Sequence, residues 1–339
     1  MARRDLFDTE KYGDIQKRVN EMYMNTPFPD YSIDSILTTL KDTKINYYKT
    51  LGIDPFNFFK DKVVLDGGCG TGEESMIIAS LGAKKVVSID LSDASIARAK
   101  EKAEILGIEN IEFYKQSVLD IEFEDNSFDL VFSAGVIHHT PDPYRGFQEL
   151  CRVLKPGCPL MLFVYNDYGH FFNNIEKGLV EILGGEDIHK RIVWAKRLYP
   201  WRMKRLYNEN VHKDIDMEAL IYDQYAVPQK SDHSIKEVLK WFRDNDIEYV
   251  SSVMPIEFKK QMGYIHRRGL ENKNVQKSIW KNLLFKFSRL FSEPLPYGEE
   301  LKPNKEPSAF SRGFTNFLYF LRGLKDYSSG PRFLGIKKT

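Results

Sequence analysis

Cysteine is scarce in this sequence: Cys69, Cys151 and Cys158 are the three present, and their spacing suits neither a zinc-ligand pair nor a local disulfide. A disulfide-stapled or metal-stapled fold is not indicated, no metal is expected, and reduced thiols of a cytoplasmic protein are the natural reading. No stretch approaches the roughly 18 consecutive apolar residues of a membrane span. The start, MARRDLFDTEKYG, lacks the apolar core of a signal peptide, so a soluble, cytoplasmic protein is expected. Internal repeats, low-complexity tracts and zinc, helix-turn-helix or RNA-recognition signatures are also missing. Net charge is only +1, but it hides an asymmetry: residues 1–160 hold about 19 Lys/Arg against 26 Asp/Glu, and the remainder about 30 against 22. An acidic first half and a basic second half point to two different jobs.

What the sequence does have is VVLDGGCGTGEES (63–75), an apolar run that breaks into Asp66 and then Gly68, Gly70 and Gly72 at alternate positions. A β-branched strand feeding a glycine-rich turn and a helix brings backbone N–H groups to a ligand with no Cβ in the way. A phosphate-cradling loop would continue with Lys-Ser/Thr, whereas Glu73-Glu74 follow here and would repel a pyrophosphate. An acidic lining suits a ligand carrying an ammonium and a sulfonium.

VVLDGGCGTG resembles the first motif of the class I S-adenosylmethionine (SAM) dependent methyltransferases. VVSIDLS (86–92) resembles the second strand of that family and ends in Asp90, about 20 residues downstream, where a carboxylate reaches ribose hydroxyls. DNSFDLVFSAGVIHHT (125–140) resembles the fourth strand and its loop, and ELCRVLKPGCPLMLFVYN (149–166) the following helix, turn and fifth strand. The resemblance covers roughly the first half of the chain. It implies SAM as cofactor, with S-adenosylhomocysteine (SAH) as product, and a set of binding residues: Asp66 at the amino-acid end, Gly67, Gly68, Gly70 and Gly72 in the loop, Asp90 on the ribose and Leu91 against adenine. Ala134, at the carboxyl end of the fourth strand, falls in the same crevice as Asp66 and Asp90. Ser117 stands where many relatives place an Asp toward the adenine amino group, with Val118 as a backbone alternative; Gly67 replaces a usual Val or Ile.

Strand and helix patterns alternate from about 62 to 166, which predicts an α/β, doubly wound, Rossmann-like sheet. The resemblance implies seven strands in the order 3-2-1-4-5-7-6. The expected division is an aromatic N-terminal cap (1–58), a SAM-binding core (59–167), a helical insertion (168–230), a core helix and strand (231–256), a second insertion (257–329) and a closing strand (330–339). VWAKRLYPWRMKRLY (193–207) reads as helical, SIKEVLKWFRDNDI (234–247) as an amphipathic helix capped by Ser234 or Asp232, and EYVSSVMP (248–255) as a strand.

His138-His139 are the candidates for substrate chemistry, since an imidazole can take a proton near neutrality. Their loop resembles that of ubiquinone-type and phosphoethanolamine-type methyltransferases, which implies His139 working with a tyrosine of the cap; Tyr23 and Tyr31 are available. Packing rather than catalysis is the plainer role of those tyrosines. The expected acceptor is a small molecule, lipid-like or saccharide-linked. SIWKNLLFKFSRLF (278–291) has the spacing of an interfacial helix, compatible with peripheral membrane contact. Two alternatives stand beside this reading. A tRNA wobble-uridine methyltransferase shares the HH loop, but the basic excess of the second half is modest for a nucleic-acid partner; a SAM- or SAH-binding protein without catalysis would share the cofactor motifs.

Overall fold

The computed structural model describes residues 9–208, 217–271, 286, 288–291, 293, 301–323 and 330–339. Its centre is one sheet of seven strands: β1 (Val63–Gly67), β2 (Lys85–Asp90), β3 (Ile111–Lys115), β4 (Leu130–Ala134), β5 (Pro159–Phe163), β6 (Ile247–Val253) and β7 (Arg332–Lys337). The strand order is 3-2-1-4-5-7-6, as the resemblance implied. β1 to β5 run parallel, whereas β7 lies antiparallel between β5 and β6 and places Arg332 opposite both Phe163 and Val253.

Alternation along each strand divides the core into two layers. Leu65, Val87, Val131 and Leu160 face Phe147 and Leu150 of helix Pro143–Val153 and Trp241 and Phe242 of helix Ile235–Asp244. Their neighbours Val64, Val86, Leu130 and Met161 face the other way, onto Met76 and Ile77 of helix Glu73–Ser80. Each such side chain, fully withdrawn from water, contributes about 1.5–3 kcal/mol. Local sequence sets the helix starts. Ser92 accepts from the Ser95 N–H (3.2 Å), Asp142 from Arg145 (3.0 Å) with Pro143 behind it, and Ser234 from Glu237 (3.1 Å), satisfying donors that a helix N-terminus leaves unpaired. Of the two cap candidates for the last of these helices, Ser234 is the one used.

Helix Thr9–Asn25, a turn through Phe28-Pro29, and helices Lys41–Thr50 and Pro55–Phe59 precede the sheet. After β5 come helices Phe171–Gly184, Ile188–Leu198, Pro200–Asn208 and Met217–Ile221. The helical stretch expected over 193–207 is thus two helices. Pro200 cannot donate to the preceding turn and forces Tyr199 to φ −125°, ψ 46°. Helices Phe258–Glu271 and Ala309–Gly323 separate β6 from β7. The two excursions meet: the Phe320 ring lies 5.6 Å from Phe171 and 5.1 Å from Phe172, and Arg202 Nη1 donates to the Gly323 carbonyl (3.3 Å). SIWKNLLFKFSRLF falls for most of its length outside the described residues. Among the described residues, no helix is long and apolar enough to cross a membrane.

Candidate active site

A cavity of about 580 Å³ opens at the carboxyl ends of β1, β2 and β4, roofed by the N-terminal helices and by the helices that follow β5. Its volume is that of a small-molecule site, and its place is where ligands of doubly wound sheets lie. Asp66, Gly68, Gly70, Asp90, Leu91, Ser117, Val118 and Ala134, all singled out above, line it.

Asp90 ends β2 with its carboxylate turned back to the glycine loop. One oxygen accepts the Gly70 N–H (2.8 Å) and the other the Ser92 N–H (2.9 Å). Each oxygen keeps a lone pair, so the group can still receive two vicinal hydroxyls. Burial raises its pKa, and those backbone donors pull it back down. Asp66, 1% exposed, accepts from Ser75 Oγ (2.6 Å), which in turn accepts from Ser88 Oγ (2.9 Å). Burial pushes the Asp66 carboxyl up to about 7, against the Ser75 hydrogen bond and aided by the Glu74 charge. A cationic ligand group would stabilise its ionised form. Ser117 Oγ accepts from Gln16 Nε2 (3.0 Å) and from the Leu119 N–H (3.2 Å), tying the first helix to the end of β3.

The glycines of the loop are also tightly packed by the protein itself. A Cβ on Gly70 (φ +53°) would sit 2.5 Å from the Phe28 carbonyl oxygen, and one on Gly68 (φ +101°) 2.3 Å from Val136. Their missing side chains therefore admit the protein's own turn and the loop after β4 against the cavity floor. Gly67 and Gly72 do not line the cavity: side chains there would meet Leu150 and Ala99. Glu73 and Glu74 were expected to lend an acidic lining, but both are neutralised from within. Glu73 pairs with the fully buried Lys102 (2.6 Å) and accepts the Tyr31 N–H (3.0 Å); Glu74 pairs with Lys44 and accepts from the Tyr48 hydroxyl. Lys102 also holds Asp30 (2.7 Å), whose N–H donates to Thr71 Oγ1 (3.0 Å). The turn of the cap is thereby latched to the glycine loop.

His138 and His139 occupy a 3₁₀ turn, Ile137–His139, in which successive side chains project about 120° apart. Only His139 reaches the cavity wall. Its Nδ1 lies 2.9 Å from the Gln229 carbonyl, which can only accept, so Nδ1 carries the proton and Nε2 holds a free lone pair. Burial lowers the His139 pKa, partly opposed by Asp223 and by that carbonyl, and the ring is a neutral imidazole at neutral pH. His138 is 0% exposed, both its ring nitrogens lack partners, and it packs at a tilt of 33° on Tyr165 with centroids 3.9 Å apart. The structure does not bring it to the cavity. Tyr23 and Tyr31 do line it. Burial, with the Asp223 and Asp90 charges, holds the Tyr23 phenol well above its ordinary value, which makes it a donor and not a base.

Four wall residues had no signal in the sequence that was read as functional: Lys44, Tyr165, Asp223 and Arg332. Asp223 accepts from the Tyr165 hydroxyl (3.2 Å) and from Gln224 Nε2 (2.8 Å). Tyr165 stood in the quoted FVYN run, and Arg332 opens a strand whose middle, FLGI, is apolar; polar groups at strand ends on the ligand side were the available clue. Among the described residues no cluster of His, Cys, Asp and Glu could hold a metal ion.

Comparison with known proteins agrees with this geometry. Residues 58–205 match the family model described as a methyltransferase domain. An uncharacterized protein of Synechococcus is 26% identical over 197 residues, 55% of this chain and 47% of its own length. The cycloartenol-C-24-methyltransferase 1 of Oryza sativa is 36% identical over 95 residues, 28% of each chain. A SAM-dependent methyltransferase of known structure from Aquifex aeolicus is 27% identical, over 41% of this chain and 75% of its own, with a TM-score of 0.32. The chain thus spans less than half the length of these curated relatives. Residues 58–205 thus match a methyltransferase domain, and the strand order completed by β6 and β7 is the one that the resemblance to SAM-dependent methyltransferases implied.

Proposed function

We propose that the protein transfers the methyl group of SAM to a small organic acceptor bound in the same cavity, with His139 as general base. The observation that carries this reading is the single cavity that joins Asp90 and the glycine loop to an imidazole whose Nδ1 is bonded to the Gln229 carbonyl. SAM, when bound, supplies an electrophilic methyl carbon on a sulfonium. Asp90 would hold the ribose, Asp66 the amino-acid end, and Leu91 and Val118 the adenine, leaving the acceptor toward His139. In-line displacement needs alignment of three atoms and an exposed nucleophile, so the chain's task is positioning, water exclusion and proton removal. Nε2 of His139 would take the acceptor's proton, while Gln229 fixes the tautomer from behind. Tyr23, protonated at neutral pH, would donate a hydrogen bond to the acceptor.

A lipid-like or polycyclic acceptor is favoured by the aromatic walls around Tyr47, Phe163 and Tyr165 and by the relative named for cycloartenol. The test is a screen for SAH formation from SAM with sterols, polyketides and fatty acids as candidate acceptors. Turnover with one chemical class, abolished by His139→Ala with SAH binding retained, supports the proposal. SAH binding without turnover across the screen would favour the non-catalytic alternative.

A further inference from the structure

The far wall of the cavity carries an uncompensated cation. Arg332 opens β7, and its guanidinium carbon lies 4.5 Å from the centroid of the Tyr47 ring and 5.1 Å from that of Phe163. The rings offer π faces to the charge but accept no conventional hydrogen bond. Nη1 is closed off from solvent with no hydrogen-bond partner, and no carboxylate lies within ion-pairing distance of the guanidinium among the described residues. The neighbouring cation, Lys44, already has Glu74, and Arg202, also on the cavity wall, already has Glu176 (2.6 Å). Arg332 is the exception among the cations of this wall. Burial lowers its pKa to about 10, so it remains charged at neutral pH. A half-buried, unpaired guanidinium with one nitrogen closed off from water is costly to keep unless a ligand completes it.

We propose that Arg332 receives an anionic group, a carboxylate or its equivalent, at one end of the acceptor, whose apolar body lies against Tyr47, Phe163 and Tyr165. The inference rests on the methyltransferase reading above and adds the charge of its substrate. Sheet order assigns the anion to the acceptor and not to the amino-acid end of the cofactor. From β2 to β7 the cavity floor runs Asp90, the glycine loop of β1, His139 after β4, Phe163 of β5 and then Arg332. Neighbouring strands lie about 4.8 Å apart, which separates the β7 position from β1 by on the order of 14 Å. Arg332 thus stands beyond the base, on the side opposite the ribose carboxylate. Bidentate recognition by a planar fork would fix the acceptor's far end and so orient its reacting atom toward Nε2.

The experiment uses the full chain saturated with SAH at pH 7.5, titrated calorimetrically with decanoate, decanol and decyltrimethylammonium as probes. Decanoate is expected to bind at least about tenfold more tightly than decanol, the size of one charge-assisted hydrogen bond pair. Arg332→Gln should erase that preference, Arg332→Lys should keep part of it, and both should bind SAH within about twofold of the parent. Circular dichroism establishes that the variants are folded. Decanoate that binds no better than decanol, or an absence of binding by both, overturns the proposal. A drop in SAH affinity in Arg332→Gln with the decanoate preference intact would overturn it too, assigning the guanidinium to the cofactor's own carboxylate. Failure of the parent protein to bind SAH would instead refute the underlying methyltransferase reading.

Discussion

Cofactor affinity should depend on the protonation of Asp66. Its carboxyl is 1% exposed and titrates at about 7, raised first by burial. If Asp66 faces the ammonium of SAM or SAH, the complex needs the ionised form. With a pKa of about 7 the free protein is about 9% ionised at pH 6 and about 91% at pH 8. Affinity for SAH should therefore rise about tenfold across that interval, or about 1.4 kcal/mol, with nearly one proton released per ligand at pH 6. Calorimetry at pH 6, 7 and 8, in two buffers of different ionisation enthalpy, measures both quantities. Asp66→Asn keeps an acceptor for Ser75 but removes the charge, so its affinity should be low and flat with pH. Stability carries the complementary sign. A carboxyl whose pKa is raised on folding contributes stability that is full below about 4 and is lost as pH rises through about 7; saturating SAH should reduce that loss. SAH affinity that is constant from pH 6 to 8 with no proton release would refute the reasoning.

Three further outcomes follow from named contacts. His139→Ala should lower turnover by about 10²–10⁴ while leaving SAH affinity within a few-fold; in the parent, activity should rise through a pKa below 6.5 and level off by neutrality, because burial keeps the imidazole deprotonated. Gly70→Ala adds a left-handed backbone penalty of about 1–2 kcal/mol and drives a Cβ against the Phe28 carbonyl, so it should weaken SAH binding at least tenfold and increase proteolysis of the turn at Phe28-Pro29. Lys102→Met strands Glu73 and the partly exposed Asp30, and should cost about 3–5 kcal/mol in urea unfolding, with Lys102→Arg less severe.

The parts of this protein most legible in its sequence are those fixed by local chemistry. Apolar runs ending in Asp66 and Asp90, Gly107 just past the helix Asp93–Ile105, and Ser234 before Glu237 each mark an element boundary that the structure keeps. The strand order was accessible only through resemblance, since no local signal tells β7 to insert between β5 and β6. What the sequence hid is pairing at long range. Glu73 and Glu74 look like a ligand-facing acidic pair until Lys102 and Lys44, each about 30 residues away, are seen to neutralise them. His138 and His139 are equivalent as letters, and only the 120° step of a 3₁₀ turn separates the buried ring from the one at the cavity. Arg332 reads as the polar start of a closing strand; its meaning comes from Tyr47, 285 residues earlier, and from the absence of a carboxylate beside it among the described residues.

The central claim, that the crevice above Asp90 holds SAM, is tested most directly by calorimetric titration of the full chain with SAH, beside Asp90→Ala. The account predicts micromolar or tighter binding by the parent and at least a hundredfold loss in the variant, because the substitution removes both the ribose acceptor and the anchor of the Gly70 N–H. Absence of SAH binding by the folded parent protein, or equal binding by Asp90→Ala, would contradict it.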